Sequence, residues 1–143
     1  MTVFVAIGMR LIYFLGLIVA ALPVFAGPVD FGQAELDRAL AERGLRRMRI
    51  SAEVSADPPE SFRILPGRVT GGDVRGLMYG LLEAAAQIRE RGRLSAAKGS
   101  PATPIRGIRY FLHNEDLEND WYYSQDYWRE FFAMLARNRF NRF

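Results

Sequence analysis

The stretch that most constrains this chain is residues 69–89, V-T-G-G-D-V-R-G-L-M-Y-G-L-L-E-A-A-A-Q-I-R. It reads as a short strand, a glycine turn and then the strongest helix in the sequence. Val74, Leu77, Met78, Leu81, Leu82, Ala85 and Ile88 recur at helical spacing and give one continuous apolar face. Asp73 stands where an N-cap belongs, because its carboxylate can accept from the free N–H groups of the first turn. Gly76, Gly80 and Ala84 fall four apart and make a second, flat stripe. Each helical glycine costs about 1 kcal/mol relative to alanine. Close approach of another backbone, most simply a sheet, offsets that cost.

The remaining segments build around this helix. Residues 31–43 predict an amphipathic helix, with Phe31, Leu36, Ala39 and Leu40 on one side and Asp37, Arg38, Glu42 and Arg43 on the other. Gly44 ends it in the C′ position. Residues 47–54 alternate Met48, Ile50, Ala52 and Val54 against Arg47, Arg49, Ser51 and Glu53, a strand with one buried face. Residues 57–60, D-P-P-E, form a loop, and residues 61–65 and 68–70 form two short strands joined at Pro66-Gly67. Helix, strand, hairpin and helix over residues 27–91 predict a mixed α/β (α+β) unit, a small sheet covered by helices.

Residues 92–104 lack periodicity, are rich in Gly, Ser, Ala and Pro, and read as a linker. After it, residues 105–112 predict a strand and residues 113–123 a polar, acidic and aromatic loop. Ser124 caps a helix over residues 125–138, with Trp128, Phe131, Phe132 and Leu135 on its buried side. A new strand begins over the last residues. One strand–helix unit cannot bury its own faces, since parallel strands need neighbours and covering helices. The unit either docks on the preceding domain or opens a longer series.

Residues 1–26 have the pattern of an export leader. Met9-Arg10 supplies a positive start, residues 11–22 are continuously apolar, and Val24-Phe25-Ala26 is a small-x-small cleavage site. The alternative is an uncleaved anchor, long enough to span a bilayer. Cleavage predicts a mature start near Gly27, which N-terminal sequencing of the exported protein reads directly. Both readings place the remainder outside the cytoplasm, secreted or periplasmic, with a membrane contact only if the leader stays.

Composition closes off several chemistries. There is no cysteine, hence no disulfide, thiolate metal site or cysteine nucleophile. A single histidine makes no His-rich metal site, and nothing predicts a cofactor. The net charge of +3 is small and its arginines are dispersed, so no nucleic-acid patch stands out. The run G-G-D-V-R-G lacks both the G-x-G-x-x-G and the G-K-[ST] phosphate signatures.

The strand–turn–helix pattern resembles the small N-terminal domain of secreted glycoside hydrolases, the hexosaminidase-like domain of family-20 β-N-acetylhexosaminidases and family-67 α-glucuronidases. The matching residues are Gly71 or Gly72, Asp73, Arg75, Gly76, Tyr79, Gly80, Leu81, Leu82 and Glu83, and the likeness covers residues 30–95. In such enzymes a catalytic (β/α)8 barrel follows. P-I-R-G-I-R-Y-F-L-H-N-E-D resembles its first strand and residues 124–137 its first helix. The resemblance therefore implies an N-terminal portion of a hydrolase: leader 1–26, α/β domain 27–91, linker 92–104 and the first βα unit of the barrel at 105–143. It implies a carbohydrate substrate bound by the barrel, and catalytic carboxylates on later strands. One departure stands out. Arg106-Gly107 fit the family-20 pattern, but Phe111 stands at the place of its aspartate and Asn114 at the place of its last arginine, which in that family holds the sugar.

Within the chain itself, His113, Asn114, Glu115 and Trp121 are the candidate substrate-binding residues. They lie just past a predicted strand's C-terminal end, where barrels place their sites. His, amide and carboxylate groups hydrogen-bond sugar hydroxyls, and rings stack on sugar faces. The same residues also suit a plain polar loop, and Glu115, Asp116, Glu118 and Asp120 a solvated acidic one. A complete small exported carbohydrate-binding or interaction module, without catalysis, is the alternative to the hydrolase reading.

Overall fold

The computed structural model describes residues 27–143; the leader expected over residues 1–26 lies outside the described residues. Helix α1 spans Pro28–Glu42 and starts earlier than predicted. Pro28 suits the first turn because its fixed φ is helical and its missing N–H would be unpaired there anyway. The helix ends in a Schellman turn. Gly44 takes φ +69° and donates to the Ala41 carbonyl at 3.1 Å, while the Leu45 N–H reaches the Leu40 carbonyl at 2.7 Å.

Among the described residues four short strands, numbered along the chain, form one sheet in the order first, third, second, fourth. They are β1 (Ser51–Val54), β2 (Phe62–Leu65), β3 (Arg68–Gly71) and β4 (Ala97–Gly99). Strands β2 and β3 form the expected hairpin, with Leu65 opposite Arg68 and Gly67 at φ +76°. Proline followed by a positive-φ glycine is the chemistry of a type II turn. Strand β1 runs parallel to β3.

Helix α2 (Val74–Arg91) lies across the sheet and against α1. Leu36, Ala39, Ile64, Val69, Leu81, Ala84, Ala85 and Ile88 are wholly buried between these layers. The flat stripe meets the hairpin. A Cβ on Gly80 would sit 2.7 Å from Val69 Cγ1, and one on Gly76 only 2.2 Å from the Ser61 carbonyl oxygen. The Arg43 guanidinium caps the far end of α2 by donating to the carbonyls of Ile88, Arg89 and Glu90, as cations do at helix C-termini.

Two predicted strands change. Only Ser51–Val54 of the 47–54 alternation is strand, and all four of its residues are exposed. Ala52 and Val54 share a row with the core-facing Val69 and Gly71. They sit on the sheet edge past the helix cover, whereas Met48 and Ile50 pack on the core before the strand begins. The strand expected over residues 105–112 does not form. A single parallel bridge joins Gly107 to Arg142, and Ile105, Phe111 and Leu112 stay exposed. A parallel ladder needs flanking strands, and 108–112 have none among the described residues.

The expected linker carries a strand. Residues 97–99 pair with β2 and cover its free edge. Gly99 is there because the Phe62 ring lies where a Cβ would project, 2.4 Å away. Beyond it come two single turns, α3 (Asn114–Leu117) and α4 (Asp120–Tyr123), and helix α5 (Gln125–Arg137). Ser124 caps α5, its hydroxyl accepting from the Tyr127 N–H at 3.2 Å. The buried face of α5 is narrower than predicted. Ala133 and Leu135 are buried, Trp128 and Phe131 half-buried, and Phe132 is 47% exposed. Among the described residues no helix is long and apolar enough to cross a membrane.

Candidate functional site

The residues of the glycine-rich motif divide into two jobs. Asp73, Gly76 and Gly80 build the turn and the helix–sheet contact: the Asp73 carboxylate accepts from the Gly76 N–H at 2.6 Å, and Gly72 donates to the Ser61 carbonyl at 2.9 Å. Arg75 and Tyr79 lie one helical turn apart and face the C-terminal unit. Arg75 pairs with Glu60, a loop residue held at φ +58°.

Glu60 is the centre of a polar junction. Its carboxylate also accepts from Arg106 and, at 3.1 Å, from the Asn141 amide. Arg106 donates further to the carbonyls of Thr103 and Arg139, at 2.7 and 2.8 Å. Its backbone N–H reaches the Asn141 side-chain oxygen at 2.9 Å. The guanidinium lies 6.0 Å from the ring centre of Tyr79, which is buried and donates weakly to the Phe140 carbonyl at 3.5 Å. Burial pushes the Glu60 carboxyl upward, but hydrogen bonds from Arg106, Arg75 and Asn141 and the nearby positive charge of Arg106 outweigh it and hold the group at about 2. Burial raises the Tyr79 phenol, and the net shift stays upward.

A second carboxylate, Glu35 on α1, is buried beneath three arginines. Arg38 lies at 2.8 Å, Arg89 at 3.2 Å and Arg137 of α5 at 3.3 Å. Burial again opposes ionisation. The hydrogen bond and charge of Arg137, then the charges of Arg38 and Arg89, overcome it and lower the group. Arg139, at φ +61°, reaches Glu83 at 2.7 Å and lies 5.0 Å from the Phe62 ring centre. Glu60 and Glu35, held low in this way, are ionised acceptors. Glycoside cleavage needs one carboxyl whose proton is retained for donation, which neither of these two offers.

Glu60→Ala is expected to cost about 2 kcal/mol, less than for a fully buried pair because Arg75 and Arg106 keep some solvent. The pH dependence has a definite sign. The folded Glu60 titrates below the ordinary value of 4.5, so its contribution is complete above that value and fades as pH falls towards 2. Urea midpoints of wild type and Glu60→Gln between those limits should converge; parallel curves contradict the assignment.

The residues singled out from sequence form a different surface. His113, Asn114 and Glu115 are exposed on and beside the one-turn helix α3. The His113 N–H is held by the Asp116 carboxylate at 2.9 Å. Trp121 instead joins an aromatic cluster, 4.9 Å from Tyr127, 6.1 Å from Trp128 and 6.2 Å from Tyr110 between ring centres. The Trp128 indole N–H is satisfied by the Tyr122 carbonyl at 2.6 Å. None of the four lines the two cavities found at the junction.

Those cavities lie along the junction. An open groove of about 960 Å³ runs between α1, α2 and α5, with Phe31, Met78, Phe132 and Phe140 among its walls. A smaller one of about 220 Å³ sits beside Glu60, Tyr79, Arg106 and Arg139. Among the described residues no three His, Asp or Glu side chains converge as metal ligands. Glu60, Asn141, Arg137 and Arg139 carry no sequence signal, because they meet only through the docking of segments far apart in the chain.

No family model matches the chain, and no curated protein matches it in sequence. A likeness does appear among solved structures, to one described as a GH138 enzyme targeting pectin rhamnogalacturonan II. The TM-score is 0.64 at 22% identity, over 81% of this chain and 16% of that one. This chain thus spans a small part of that enzyme's length. At 22% identity the likeness shows a shared mixed α/β fold and does not distinguish family 20 from family 67.

Proposed function

We propose that this chain is the N-terminal, non-catalytic portion of an exported glycoside hydrolase that breaks down a polysaccharide or other glycan. On this reading a hexosaminidase-like domain is seated on the opening βα unit of a (β/α)8 barrel. The observation that carries it is the parallel Gly107–Arg142 bridge on either side of α5. That bridge puts the segments before and after α5 parallel, the order of a strand–helix–strand unit, and Ile105, Phe111 and Phe143 lie exposed in those segments. The coarse likeness to a glycoside hydrolase supports the same reading. The sugar is engaged by the barrel, with His113, Asn114, Glu115 and Trp121 as contributors at the C-terminal end of its first strand.

Two measurements test this. The purified chain should show no turnover of aryl glycosides, because its junction carboxylates are ionised and paired; activity that tracks the protein through repurification overturns the non-catalytic part. The coding frame should continue past the codon for Phe143 for roughly the 250 residues of a barrel; an immediate stop overturns the hydrolase part. The second reading, a small exported interaction module, is favoured by one observation: α5 already docks on the sheet domain through Ala136 and Arg137.

A further inference from the structure

We propose that the sheet domain and the C-terminal unit, residues 105–143, are joined by an electrostatic latch that releases without unfolding the sheet domain. Three arginines of the unit each land on a carboxylate of the sheet domain. Arg106 meets Glu60, Arg137 meets Glu35 at 3.3 Å, and Arg139 meets Glu83 at 2.7 Å. The three carboxylates come from three places, the loop before β2, α1 and α2, so the latch grips the domain at separated points. Asn141 adds a hydrogen bond from its uncharged amide to the Glu60 carboxylate.

The apolar part of the junction is thin by comparison. From α5 only Ala133 and Leu135 are buried, and the groove of about 960 Å³ separates much of the helix from α1. Phe132, Met134 and Phe143 remain exposed. A joint with this composition resembles the polar interfaces across which domains move. The connection into the unit, Ser100-Pro-Ala-Thr-Pro104, has no helix or strand to stiffen it. The sheet domain is held differently, by a continuous apolar core between its helices and strands. Salt screens partly exposed ion pairs, the screening length dropping to about 3 Å near 1 M, and leaves apolar burial intact. The two parts therefore respond differently to ionic strength.

The test is hydrogen exchange of the whole chain, read by mass spectrometry at low salt and at about 1 M NaCl. Peptides from α5 and residues 138–143 should exchange about tenfold faster in high salt while peptides from α2 hold their rates. Equal change in both, or change in neither, overturns the latch. A pair-specific arm guards against general salt effects. At low salt Glu83→Arg should loosen α5 by facing Arg139 with a like charge, and adding Arg139→Glu should restore much of the protection. A double variant as loose as the single one overturns the role of the pair. Neither arm depends on enzymatic activity, so the latch and the proposed function fail separately.

Discussion

Gly76→Ala is expected to destabilise the protein by about 3 kcal/mol, near the top of the range for overpacking a close contact. The added Cβ would sit 2.2 Å from the Ser61 carbonyl oxygen and 3.1 Å from the Glu60 carbonyl carbon. Both are backbone atoms, so no side chain can swing aside. Helix α2 must lift off the hairpin, and that movement also strains two hydrogen bonds, Gly72 to Ser61 and Gly76 to Asp73. Alanine recovers about 1 kcal/mol of helix propensity, which is already included in the net figure. Thermal melting should show a loss of about 12 °C or more for a domain of this size. A melting temperature within a few degrees of wild type would mean that the stripe is not pressed against the sheet.

Leu81→Ala is expected to cost about 3 kcal/mol or more, as large-to-small changes in a sealed core do. Leu81 is wholly buried where α1 crosses α2. Its Cβ and Cδ1 pack on Gly32, where even a methyl would come within 3.0–3.2 Å. Two helix backbones approach closely there, so they cannot collapse further into the void that alanine leaves. Chemical denaturation should show an unchanged slope and a lower midpoint. Leu82→Ala, at a half-buried position one residue on, should cost clearly less; equal losses would argue against this packing.

Local chemistry made much of the α/β domain legible. Asp73 and Ser124 cap their helices as their side chains dictate, and Gly44 and Gly92 supply the left-handed turns that end α1 and α2. The hairpin follows from Pro66-Gly67. The flat side of Gly76 and Gly80 announces a close neighbour, and the hairpin is that neighbour. Val74 shows where periodicity overreaches: it lies on the apolar face of α2, yet it is more than half exposed in the first turn, beyond the sheet's cover.

The candidate site was less legible. A loop with histidine, amide and carboxylate groups advertises binding chemistry in one dimension. The structure leaves His113, Asn114 and Glu115 exposed and separate from both cavities, while Trp121 goes into an aromatic cluster. The charged junction gave the opposite case. Glu60 reads as the end of the 57–60 loop, and Arg137 and Arg139 fall in the last predicted helix and the strand after it with nothing to name a partner.

The sequence by itself determined the caps, the turns, the period of each helix and the small-residue stripe, because these depend on residues within one or two turns of each other. The tertiary structure alone decided which carboxylate meets which arginine, that residues 97–99 seal the edge of β2, and that residues 105–112 stay largely unpaired. Those outcomes depend on segments as distant as Glu35 and Arg137, or Glu60 and Asn141. Their pairing is an energy of the assembled whole, set by which faces remain uncovered once the local elements have packed.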